Sequence, residues 1–176
     1  MNHCQTKMNQ DINAIEQFKT EGLLCDLSPT ENKEYREFLD WALADKIQSA
    51  EAALQKKPED SIALNFYAMQ DVLKLFLLKK YTVKITVKEV KGTIKQLIKE
   101  IVCDENILKL FEKGEETYMP IVMRQFEKFK ANYNSKEPKK ELPQEPVTEA
   151  DINNAILFRD NIVKPYIQLF DRIMPK

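Results

Sequence analysis

The sequence predicts an all-α fold, an irregular antiparallel helical bundle of six to seven helices with a C-terminal helical segment after a Pro-rich linker. Three observations carry that expectation. Glycine occurs only three times in 176 residues, against an average usage of about 7%. Strand-and-turn folds consume glycine for left-handed turns and bulges. Apolar residues recur at intervals of three and four through most of the chain, which is the helical period. Finally, Ser, Thr, Pro and Gly stand where helices would begin and end.

Ile12, Ile15 and Phe18 form the stripe of a first helix, with Gly22 as its C-terminal stop. "SPTE" then opens a second: Ser28 caps, Pro29 suits the first helical position, and Glu31 completes a capping box. Its expected inner face runs through Tyr35, Phe38, Leu39, Ala42, Ile47, Ala50 and Leu54, and it ends near Lys57-Pro58, because a residue preceding proline avoids helical geometry. A third helix, about 60–80, is apolar nearly all round, from Leu64 through Leu73 and Phe76 to Leu78. A helix of that kind belongs in the middle of a bundle.

"YTVKITVKEV" alternates like a strand, but no obvious partner strand exists. It reads better as an extended link into a fourth helix, about 87–102, with Thr86 as cap and Glu89 as its box partner. A short helix from Asp104 should stop near Gly114. A separate one carrying Tyr118, Val122, Phe126, Phe129 and Tyr133 should follow, with Pro120 in its first turn. Residues 1–134 thus form the bundle. Residues 135–147, "SKEPKKELPQEPV", form a charged linker that cannot bury a core. Thr148 caps a final segment, 148–176, with Asp151 as box partner. Pro165 should kink or split it. That segment packs on the bundle or on a partner.

The joint "PEDSIALNFYA" resembles the junction between tetratricopeptide repeats through Pro58, Ala63, Leu64 and Ala68. The resemblance is confined to that joint. A period of about 34 residues would put Lys80 and Lys84 at packing positions, and no second copy follows. The corner is therefore expected to be a helix hairpin.

Composition excludes several kinds of chemistry. His3, near the start of the chain, is the sole histidine. Serine–histidine or cysteine–histidine catalysis needs a rigidly held base, so no catalytic residue is assigned. Cys4, Cys25 and Cys103 are scattered, with neither zinc spacing nor a disulfide framework, as expected of free thiols in the cytoplasm. Cys25 and Cys103 read as small buried hydrophobes. No glycine-rich phosphate loop occurs. No cofactor or metal is expected, no leader or transmembrane segment is read, and the oligomeric state is left open. The acidic groups Glu31, Glu34, Glu37 and Glu112, Glu115, Glu116 read as solvated helix faces.

The formal net charge of −1 argues against a dedicated nucleic-acid binder, yet it hides a gradient. Residues 1–60 hold 7 Lys/Arg against 12 Asp/Glu and residues 61–114 hold 10 against 6, so the surface should have faces of opposite sign. Two features stand out as a candidate binding surface. Lys84, Lys88, Lys91, Lys95 and Lys99 form a basic stripe, the last four on one face of the fourth helix. Trp41, the only tryptophan, lies just off the main stripe of the second helix. It packs at the core edge or anchors a partner. The leading expectation is a non-enzymatic cytoplasmic protein-interaction module that binds another protein through a helical groove. The alternative is a helical module that binds nucleic acid or an acidic surface through the lysines.

Overall fold

A computed structural model describes residues 3–86, 92–134 and 146–176. Six helices and a two-stranded ribbon make up these residues, an all-α bundle as expected. They are α1 (His3–Thr20), β1 (Leu24–Asp26), α2 (Pro29–Ala53), α3 (Pro58–Tyr81) and β2 (Val83–Ile85), followed by α4 to α6. Helix α4 runs Thr93–Leu97 and continues as a π-turn, Ile98–Val102; α5 is Glu105–Asn134. Helix α6 is Glu149–Phe158, a π-turn Arg159–Val163 and Lys164–Ile173.

Helix α3 is the axis. Leu73, Leu77, Met69 and Ala68 have no exposed surface, and α2, α5 and α6 all pack on it. It is long and apolar enough to cross a membrane, yet 78% of its most apolar window is buried inside the bundle. Pro58 sits at its start, where a missing N–H costs nothing. Thr82 adopts a left-handed conformation (φ 58°) to close its end, its N–H bonding the Leu78 carbonyl. Helices α2 and α3, joined by a short turn, form the expected hairpin, with Leu39, Leu75 and Leu78 between them.

The strand-like segment does have a partner. Val83–Ile85 pairs antiparallel with Leu24–Asp26, Cys25 opposite Lys84. The turn before β1 needs Gly22 at φ 74°, and the Thr86 hydroxyl donates to the Gly22 carbonyl at 2.6 Å. Thr86 thus fastens the ribbon. Helix α4 begins at Thr93, with Gly92 as its cap, and the expected start at 87 lies outside the described residues. The proposed box partner Glu89 lies outside the described residues.

Two proline expectations separate. Pro120 does not start a helix: it lies inside the continuous α5. Gly114, the expected stop, is buried in the helix interior. A Cβ there would meet Ile162 Cγ2 at 3.4 Å and Phe158 Cε2 at 3.5 Å, so α6 packs directly over this position with room for no more than a methyl. Packing against α3 and α6 carries α5 through a proline and a glycine whose local preference is to break it. Pro165 acts as expected, through a π-turn. Proline lacks an N–H and its ring crowds the carbonyl four residues back; here the Lys164 N–H bonds the Arg159 carbonyl five residues earlier.

The segment 148–176 packs in cis. Ala155, Phe158, Ile162, Val163, Tyr166 and Phe170 join the core that includes Phe66, Phe76 and Phe111. The Tyr118 and Phe158 rings lie 4.2 Å apart and Phe76 and Phe170 5.6 Å apart. Its start is the capping box foreseen, Thr148 and Asp151 exchanging side-chain and backbone bonds. Most of the linker, 135–145, lies outside the described residues.

Candidate interaction surface

Helix α2 faces the core through Leu39, Ala42 and Ala50, with Leu54 just beyond its end. The expected inner stripe was therefore partly misphased. Phe38 is 57% exposed and Ile47 40% exposed. Trp41, expected mainly at the core edge, is 64% exposed. The physical reason is the 3.6-residue period. Once Leu39, Ala42 and Ala50 point inward, Phe38 and Trp41, three apart, fall together on the outer side. Their ring centroids are 6.3 Å apart, tilted by 41°, an aromatic pair within the favourable range.

That pair lies among carboxylates. Glu34, Phe38, Trp41 and Asp45 follow at spacings of four, three and four, hence on one helix face. Glu37 borders it, and all three acidic residues are exposed. Among the described residues none of the three has a cation within ion-pair distance. Two other α2 acids are engaged. Glu31 takes the Ser28 backbone N–H at 2.9 Å, which holds its carboxyl below the ordinary range. Glu51 receives Arg159 at 2.8 Å.

Of the five lysines, Lys84, Lys95 and Lys99 are among the described residues. Lys84 is on β2, half-buried, close enough to Glu31 to lower that carboxyl further. Lys88 and Lys91 lie outside the described residues. Lys95 is paired with Glu112 at 3.0 Å. Lys99 is exposed on the π-turn. Of the second acidic group, Glu112 is thereby neutralised. Among the described residues no group of three or more His, Cys, Asp or Glu could hold a metal ion.

Inside the bundle two polar contacts recur to chemistry that sequence patterns did not flag. Asp71 of α3 is buried and takes an ion pair from Lys46 of α2. Asp11 of α1 is buried and accepts from the Tyr81 hydroxyl at 3.2 Å. Burial, then the Asp11 charge, pushes the Tyr81 phenol well above its usual range. Each joins two helices. Cys103, expected to be buried, is exposed at the left-handed turn ending α4, and Cys25 is half-buried on β1. Neither forms a disulfide among the described residues.

Comparison with protein-family models, curated proteins and solved structures finds no match for this chain.

Proposed function

We propose that this chain acts by binding another protein rather than by catalysis, through the outer face of α2. The observation that supports this reading is the exposed Phe38–Trp41 pair. Most large aromatic side chains of the described residues are packed, and Phe18, Phe66, Phe76, Phe111, Phe158, Tyr166 and Phe170 are fully buried. An exposed tryptophan next to an exposed phenylalanine leaves apolar area in water without folding benefit. Aromatic residues of that kind are the usual energetic centre of protein interfaces. Cysteines outside any disulfide among the described residues suit a reducing compartment such as the cytosol.

The test is site-specific photo-cross-linking in cells, with a photoreactive amino acid at position 41 and, as a control, at the exposed Gln168 on α6. A discrete protein adduct at 41 and none at 168 is expected. Equal labelling at both positions, or none at either, refutes the reading. The alternative, polyanion binding through the lysines, is weakened because Lys95 is spent on Glu112 and Lys84 lies by Glu31. Micromolar binding to DNA or RNA at 150 mM salt, flattened in its salt slope by about two units when Lys95 and Lys99 become glutamine, would restore it.

A further inference from the structure

We infer that the α2 face is a docking site for a basic amphipathic helix of another protein, with Phe38 and Trp41 as apolar contact and Glu34, Glu37 and Asp45 as anionic rim. The inference rests on the interaction reading above and names the partner's chemistry. Three carboxylates without a described counter-ion, set around two exposed rings, make the face acidic, with the exposed Lys33 only at its border beside Glu37. A partner that buries the rings must also pass those charges. An acidic or neutral segment would leave them unpaired, whereas lysine or arginine beside an apolar stripe would complement them.

A second copy of this chain fits poorly. A two-fold contact through Phe38 and Trp41 would bring the same three carboxylates against their own copies, and like charges placed face to face cost affinity. The shape also points to a helix. Glu34 to Asp45 spans 12 residues, about 18 Å of helix at 1.5 Å per residue, a straight ridge that a second helix can lie along. The size sets the strength. Two rings somewhat more than half exposed offer about 250 Å², well below the roughly 800 Å² per partner of a standard interface. A transient association with Kd in the tens of micromolar is expected.

Because Trp41 is the only tryptophan, its emission reports on this face alone. The full chain is titrated with three labelled amphipathic peptides of about four turns, sharing one leucine stripe and carrying lysine, glutamine or glutamate on the polar side. The lysine peptide should bind in the tens of micromolar, shift Trp41 emission to the blue and weaken as salt rises. The glutamate peptide should not bind. Phe38→Ala should weaken the lysine peptide at least tenfold. Combined Glu34→Gln, Glu37→Gln and Asp45→Asn should weaken it about tenfold and abolish its salt dependence. Both variants lie on the surface and should melt with the parent. If the lysine peptide binds both variants as it binds the parent, it binds elsewhere and the inference falls. If glutamine and lysine peptides shift Trp41 equally, the basic partner is refuted while the interaction reading stands. If no peptide moves Trp41 emission, the inference is refuted. The interaction reading is then judged by the adduct at position 41, which does not depend on peptide charge.

Discussion

Replacing Phe158 by alanine should unfold the bundle more readily than almost any other single change, although the residue lies in the last sixth of the chain. Phe158 has no exposed surface. Its ring stacks within 4.2 Å of Tyr118 and lies over the surface that Gly114 leaves free. Truncation removes transfer energy and leaves a ring-sized cavity bounded by two helices, which together cost about 3–5 kcal/mol. For a domain of this size each kcal/mol lowers the melting temperature by about 2–4 °C. A fall of roughly 6–20 °C is therefore expected. Leu157, the adjacent residue, is 53% exposed, so Leu157→Ala should shift melting by no more than about 2 °C. The assay is thermal denaturation followed by circular dichroism, with urea unfolding to confirm an unchanged m-value. If the two variants melt alike, α6 does not share the core and the segment 148–176 is an appendage.

Gly114→Ala should be neutral or stabilising by up to about 1 kcal/mol, since helix propensity gains and the new methyl meets Ile162 at ordinary contact distance. Gly114→Leu should cost about 1–3 kcal/mol by overpacking, and equal stability of the two would refute the close approach of α6. Lys46→Met should destabilise by about 3–5 kcal/mol, because it strands the buried Asp71 carboxylate; an unchanged urea midpoint would show that Asp71 has another counter-charge. Glu31 and Asp151 are held below their ordinary carboxyl range by backbone N–H bonds from Ser28 and Thr148. Their contribution is present above the unfolded-state pKa near 4 and lost as pH falls through the lowered folded value. Glu31→Gln with Asp151→Asn should therefore melt below the parent at pH 7, with the gap closing in strongly acidic solution; a gap that persists there would argue against the capping boxes.

What the sequence determined by itself were the features set within a few residues. The capping boxes at Ser28 and Thr148, the central place of α3 and the disturbance at Pro165 all follow from local chemistry or from a helix apolar all round. Tertiary structure decided the rest. Gly114 and Pro120 would each end an isolated helix, and only the neighbours α3 and α6 keep α5 continuous. The strand Val83–Ile85 found its partner nearly sixty residues away, at Leu24–Asp26, a pairing with no local signature. The binding face moved for a similar reason. On a helix with apolar residues at 35, 38, 39, 41, 42 and 43, several phases bury comparable area. The small Ala42 and Ala50 were drawn inward against α3, because close helix packing accommodates small side chains at the contact. That choice turned Phe38 and Trp41 toward water, beside carboxylates that the sequence alone had read as a solvated face.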